Sequence, residues 1–490
     1  MKQINATINK SEQAFKKYCL KSGKQKAVFL RAIADEIEAL GDVLIETASR
    51  ESNLPTARFM GERGRTTGQL RMFANHIEEG SWVDATIDTA QPDRQPIPKV
   101  DLRKMLVPMG TVVVFGASNF PLAFSTAGGD TASALASGCP VVVKAHPAHL
   151  ETARLVASAI LKAAEKTGMP EGVFAQVEGG FDVGQRLVKH PSVSAVAFTG
   201  SFVGGKALFD LANKRKNPIP VFAEMGSVNP VFLFENALIL RGEALATQLA
   251  DSVTLGVGQF CTNPGLIIGV ESEGLNVFLN SFKTKMQAKM PAPMLHQGIA
   301  DNYKKGLSKV SEMGNTIVAE HVTVASDGNM LNGTPSVAVV NGAAFLKNKD
   351  LHHEVFGPFS LVVKCKDAGE MKRIIDQLEG QLTATLMAEP SDLLHKNKQK
   401  PLIQAISEKC GRIIMNNAPT GVEVTHAMQH GGPYPSTTDA RFTSVGTSAI
   451  LRFVRPLCYQ NFPNDLLPDA LKEGNPLSIW RKVDGEIKKG

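Results

Sequence analysis

The chain has 490 residues, 43% of them hydrophobic and 20% charged, which is too long for one core and too apolar for a disordered protein. Its 53 Lys and Arg against 47 Asp and Glu leave a net charge of +6, too dilute to mark a nucleic-acid binder and compatible with anionic small molecules. Cys19, Cys139, Cys261, Cys365, Cys410 and Cys458 are dispersed without a CxxC pair, which argues against a disulfide scaffold or zinc ribbon and for a reducing compartment.

The opening MKQINATINKSEQAFKKYCL has no apolar segment of signal-peptide type, and no apolar run approaches the ~20 residues a bilayer span needs. A cytoplasmic protein that contacts neither membrane nor nucleic acid is expected. From Ser11 to about Ile77 apolar residues recur at helical spacing, with Ala27, Leu30, Ile33, Ala34 and Ile37 on one face. The Pro-rich stretch 86–99 reads as a connector or projecting hairpin, with a boundary near 100. Next come TVVVF (111–115), a helix over about 125–137, PVVVK (140–144), a helix over about 150–166, and the short strands FAQVEG, VSAVAFTG and PVFAEMG. Short β-branched strands alternating with helices imply a mostly parallel, doubly wound sheet. A second α/β stretch runs from about 228 to 430, with a long helix before GVGQFCT and later strands at SVAVV and FSLVVK. Lys396 to Lys400 reads as a basic surface turn. The tail NPLSIWRKVDGEIKKG reads as an edge strand suited to self-association.

Several segments carry chemistry. In GQFCT, Cys261 follows a Gly-rich turn that can hold a thiol at a pocket mouth, although most free cysteines are buried and inert. Glu224, in FAEMGS, ends a short strand where α/β sites are built and can activate water; a cap or surface acid is the bland alternative. Asn119, just after TVVVF, can face a developing oxyanion or simply make an Asx turn. Lys144 at the end of PVVVK is within reach of a ribose or phosphate, or is merely solvated. FTGSFVGG leads from a strand into a helix N-terminus that can take a pyrophosphate on Gly200, Ser201 and Gly204, but it is not the GxGxxG fingerprint. HHEVFGP places Glu354 and Phe356 on a turn. His352 and His353 have no third ligand at metal-binding spacing, so no metal site is expected.

In this order, NFP, VVVK, FTGS, EMGS, GQFCT and EVFGP resemble the aldehyde dehydrogenase superfamily over roughly residues 10 to 460. The wording FGASNFPLAFSTAGGDTASALASGCPVVVKAHPAH, with HGGPYPSTT (430–438) and RPLCYQNFPNDLLP (455–468), is similar to the branch of α-ketoglutaric semialdehyde (2,5-dioxopentanoate) dehydrogenases, near which NADP-dependent fatty aldehyde dehydrogenases also lie. The resemblance implies an α/β chain with two doubly wound parallel-sheet domains and a small oligomerisation β-extension. The dinucleotide-binding domain would be 1–90 with 108–226, rejoined by about 431–456. Residues 227–430 would form the catalytic domain, and 91–107 with 457–490 the hairpin and tail of a homodimer or homotetramer.

It also implies that Cys261 attacks an aldehyde, that Asn119 with the Cys261 amide holds the oxyanion, and that Glu224 activates water against the thioester. Lys144 and Glu354 would hold the adenosine and nicotinamide riboses, with Phe356 beside the latter, and Ser201 with Gly200 and Gly204 the pyrophosphate. The cofactor would be NADP or NAD. Many NAD-preferring relatives have a Glu where this chain has Pro147, so NADP is expected to be accepted, with His146 or His149 as contacts; the proline is also a natural helix start. Ser118 replaces the usual Trp and EMGS the usual ELGG. The expected reaction is oxidation of 2,5-dioxopentanoate to 2-oxoglutarate, the alternative a medium- or long-chain fatty aldehyde. A CoA-acylating enzyme is disfavoured by the presence of Glu224, and a non-catalytic descendant by that of Asn119, Glu224 and Cys261 together. A carboxylate substrate wants an entrance arginine, and Arg441, Arg452 and Arg455 are the C-terminal candidates.

Overall fold

The structure is a computed structural model that describes residues 2–313, 318–323, 328–393 and 396–489. Four helices open the chain: Lys2–Tyr18, Gly23–Ala39, Gly41–Ser52 and Thr56–Glu79. The second is fixed at its start by a reciprocal cap between Ser22 and Gln25. Its apolar stripe, Ala27, Leu30, Ile33, Ala34 and Ile37, is fully buried.

The first sheet has the order Phe174–Val177, Val141–Lys144, Thr111–Phe115, Val193–Thr199, Val221–Glu224, all parallel. Because successive side chains in a strand point to opposite faces, Val112 and Val114 enter the core beneath the opening helices, while Val113 faces the other side with Val142 and Val196. Burial on both faces explains the unbroken valine runs. The second sheet runs Val318–Thr323, Ser336–Asn341, Phe359–Cys365, Leu266–Val270, Val231–Leu233, Gln381–Met387, Cys410–Met415; only its first strand is antiparallel. After Met415 the chain returns to the first sheet, where Met225 N–H donates to Ser436 O and Ala223 N–H to the Thr438 hydroxyl.

A third sheet projects from the body in the order Val454–Gln460, Leu102–Pro108, Thr86–Asp88, Arg481–Val483, Glu486–Lys488. It takes in more than the expected 91–107 and 457–490, since Thr86–Asp88 pairs with both Leu102–Pro108 and Arg481–Val483. The tail is a hairpin rather than one edge strand. Asp484-Gly485 supplies two successive positive φ angles, 48° and 88°, which suit a tight hairpin turn and leave Glu486–Lys488 on the edge. Two further expectations shift. The helix expected from about 125 starts at Gly129, because Ala123 O and Ser125 O bind the Gly129 and Gly128 amides in preceding turns. Lys396–Lys400 opens a helix, Lys396–Ser407, instead of forming a turn, in keeping with the helix propensity of Lys and Gln. Among the described residues no helix is long and apolar enough to cross a membrane.

Candidate active site

Three loops bring the site together. Glu224 ends the last strand of the first sheet, and its backbone is clamped by Gly200 N–H donating to Glu224 O at 3.0 Å. Asn119 follows the central strand Thr111–Phe115. Its backbone oxygen accepts from Arg58 Nη2 at 2.6 Å, and its side-chain Nδ2 donates to Gln259 O at 3.1 Å. One amide proton of Asn119 thus anchors it to the cysteine loop and the second stays available.

The cysteine loop is strained. The helix Glu235–Thr254 ends in a left-handed stretch with φ of 53° at Gly256, 58° at Val257 and 65° at Gly258, and a β-branched residue at positive φ is rare. Gly258 cannot be replaced, since a Cβ there would lie 2.3 Å from Gly357 backbone atoms. Asn229, itself at φ 46° and fully buried, holds the turn shut by donating from Nδ2 to Cys261 O and Asn263 O, both at 2.9 Å. Ser227 and Gln381 complete this network. It fixes Cys261 half-buried between the two sheets.

His430 closes the site. Its Nε2 lies 3.5 Å from Cys261 Sγ and 2.8 Å from Glu224 Oε1, and both His430 and Glu224 are all but inaccessible. The Ser444 hydroxyl donates to Glu224 Oε2. Burial alone would raise the Glu224 carboxyl, but His430, Ser444 and Cys261 outweigh it and hold the group below its usual range. Burial and the adjacent Glu224 carboxylate push the Cys261 thiol well upward, with Arg65 opposing. At rest the arrangement is a thiol hydrogen-bonded to a carboxylate. One ligating atom each from Glu224, Cys261 and His430 falls within 4.8 Å of the others, a geometry that could also hold a soft divalent cation.

Of the expected cofactor residues, Ser201 stands at a helix start and Lys144 at a strand end, and Glu354 and Phe356 lie in the loop before the strand Phe359–Cys365. Ser201 caps the helix Phe202–Asn213, its hydroxyl accepting from Gly204 N at 3.2 Å, and Ser201, Phe202 and Val203 are exposed around that N-terminus. A Cβ on Gly200 or Gly204 would strike the Phe198 ring, so glycines keep this turn low. Lys144 is half-buried at the end of its strand and its pKa is lowered by desolvation. Glu354 is exposed, yet its carboxyl lies against Gly226, and desolvation pushes it up to about 8. Phe356 is half-buried. A helix N-terminus, low glycines, a lysine and a carboxyl form a donor and acceptor set that fits a dinucleotide.

Other expectations need correction. His149 is buried with Nε2 2.9 Å from Ala117 O, and burial lowers its pKa; burial drives His146 down to about 3. Neither supplies positive charge for a phosphate. Pro147 is the first residue of a short 3-10 turn leading into Leu150–Lys166. Arg452 is buried against Asp130 at 2.7 Å, Arg441 is exposed on Asp439, and Arg455 is exposed in the third sheet. His352 stacks on Phe345 at 4.1 Å, a packing role. The site roles of His430, Ser444 and Asn229 were not assigned from the sequence; the contacts that give them, to Cys261 and Glu224, span 32 to 220 residues.

The model of the aldehyde dehydrogenase family matches residues 1–454. The chain is 52% identical over 480 residues to α-ketoglutaric semialdehyde dehydrogenase 2 of Azospirillum brasilense, covering 98% of this chain and 90% of that one. It is 46% identical over 498 residues to α-ketoglutaric semialdehyde dehydrogenase of Acinetobacter baylyi, covering 99% and 91%. The same fold recurs in NADP-dependent glyceraldehyde-3-phosphate dehydrogenase from Bacillus halodurans, with a TM-score of 0.76 at 19% identity over 94% of this chain and 91% of that one. Methylmalonate-semialdehyde dehydrogenase from Oceanimonas doudoroffii gives 0.77 at 17% identity, over 94% and 91%. The chain therefore belongs to the aldehyde dehydrogenase family, NAD(P)-dependent oxidoreductases that act on aldehydes.

Proposed function

We propose that the chain oxidises 2,5-dioxopentanoate to 2-oxoglutarate with Cys261 as nucleophile. The observation that carries this reading is the carboxylate of Glu224 held charged beside the Cys261 thiol by His430 and Ser444. The two semialdehyde dehydrogenases at 52% and 46% identity support the substrate.

The Cys261 thiol gives up its proton to solvent, and its sulfur forms a bond to the aldehyde carbon as the carbonyl pair moves onto oxygen, leaving the Glu224 carboxylate free for the later water step. The second Asn119 amide proton and the Cys261 backbone N–H hold that oxyanion. NAD(P), when bound, supplies the acceptor for the hydride that leaves the carbon, and Ser201, Gly200, Gly204, Lys144, Glu354 and Phe356 are the residues that would hold it. The cysteine is then a thioester. Glu224 removes a proton from water, whose oxygen attacks the acyl carbon; the C–S bond breaks and the free acid departs. A water in this role, rather than CoA, accords with the presence of Glu224.

NADP use alongside NAD follows from Pro147, which puts no carboxylate in the way of a 2′-phosphate. Exposed Leu466, Trp480 and Ile487 in the C-terminal segment, the last of them on the edge strand Glu486–Lys488, support a homodimer or homotetramer. Turnover is tested by following NAD(P)H with 2,5-dioxopentanoate, succinic semialdehyde, glutaraldehyde and decanal, each with both cofactors. The expected order puts 2,5-dioxopentanoate first; a preference for decanal, or no turnover at all, contradicts the proposal. Better efficiency with NAD at matched concentrations contradicts an NADP preference.

A further inference from the structure

Beside the cysteine loop lies a cavity of about 340 Å³ whose walls include Arg58, Glu62, Arg65, Phe120, Gly256 and Phe260. Phe260 immediately precedes Cys261 and Phe120 follows Asn119, so the cavity lies between the cysteine loop and the Thr56–Glu79 helix. Three charged residues line it, two arginines and one glutamate.

Those three charges are not equivalent. Glu62 Oε1 accepts from Leu122 N at 2.8 Å and Ala123 N at 3.0 Å, while its buried Oε2 has no hydrogen-bond partner among the described residues and faces Arg58 Nε at 3.7 Å. Arg58 is committed: Nη2 donates to Asn119 O, Nε lies 3.7 Å from Glu62, and its guanidinium lies over the Phe120 and Phe260 rings at 4.6 and 5.0 Å. Arg65 is different. Its Nε and Nη2 are buried with no hydrogen-bond partner among the described residues, and its contact is the Phe124 ring at 5.3 Å. A buried donor pair without acceptors is costly unless a ligand completes it. The Arg65 charge is also felt at both Cys261 and Glu224, which places it near the reacting end of the cavity.

We infer that Arg65, with Arg58 beside it, is the anchor for the substrate's 2-oxo carboxylate. Nε and an Nη form a planar fork, which matches either two carboxylate oxygens or one carboxylate oxygen with the coplanar 2-oxo group. The aromatic rings that flank the arginines exclude water from the pair and strengthen it. This inference rests on the reading of 2,5-dioxopentanoate as substrate and replaces Arg441, Arg452 and Arg455 as entrance candidates.

The test compares kcat/KM for 2,5-dioxopentanoate and for pentanal, an aldehyde of equal chain length without the acid, in the wild type, Arg65→Met and Arg65→Lys. Both substrates are measured on one preparation, so their ratio is insensitive to the fraction folded. The expected result is a fall of about 100-fold in that ratio for Arg65→Met and a smaller fall for Arg65→Lys, carried mainly by KM. A ratio unchanged in Arg65→Met overturns the inference while leaving the proposed function intact. Wild-type enzyme that turns over pentanal but not 2,5-dioxopentanoate overturns the proposed function itself.

Discussion

Two carboxyl groups face the same reaction space and are held in opposite states. Glu224 lies deeper than Glu354 by accessibility, yet its carboxyl is kept below the usual range, while that of Glu354 is pushed up to about 8. The difference lies in the donors. Glu224 receives a hydroxyl from Ser444 and faces His430 and the Cys261 thiol; Glu354 has only a backbone N–H from Ser227 to set against its desolvation. Depth alone does not decide ionisation; the hydrogen-bonding partners do. The chain thereby holds one carboxyl below and one above the usual range.

The largest break in this contrast comes from Glu224→Gln, which keeps the shape and removes the charge. Steady-state turnover should fall by about 1,000-fold, the loss of a general base, read by NAD(P)H formation. Removing the donor instead of the acid gives the next effect. His430→Ala should lower kcat by about 100-fold and move the acidic limb of the pH–rate profile upward, because Glu224 then loses its main stabilising neighbour. An unmoved limb would disconnect His430 from Glu224. Ser444→Ala should do the same more weakly, by about tenfold in kcat, since one neutral hydrogen bond is lost.

Glu354→Gln should change kcat least, within about threefold, because Gln imitates a neutral acid. Its signature is thermal. A carboxyl raised above its unfolded value contributes stability below the unfolded pKa and loses that contribution as pH rises through about 8. The melting temperature of the wild type relative to Glu354→Gln should therefore decline between pH 5 and pH 9, modestly because the residue is exposed. A flat difference would mean that Glu354 is ionised throughout.

What was legible in the sequence follows the range of the forces involved. The valine strands at 111–115 and 141–144 and the helix at 150–166 declare themselves by local period, and Cys261, Glu224 and Asn119 by motif order. His430 was hidden because it becomes a site residue only when a loop folds back 169 positions onto Cys261. Arg65 was hidden for a different reason: on the opening helix it has the spacing of an ordinary polar-face residue, and only the cavity behind Phe260 shows that its donors face inward. Arg452 misled because arginine at a chain's return to a core reads the same whether it binds a ligand or, as here, Asp130. The tail's hairpin was legible in Asp484-Gly485, which the charged sequence around it obscured.

The most direct measurement is mass spectrometry of Glu224→Gln after a single turnover with 2,5-dioxopentanoate and NADP. If Glu224 drives hydrolysis, the enzyme should release one NADPH per chain and retain the acyl group as a thioester on the peptide bearing Cys261. An NADPH burst with no adduct on Cys261, or an acyl group on any other cysteine, contradicts the assignment of nucleophile and base together.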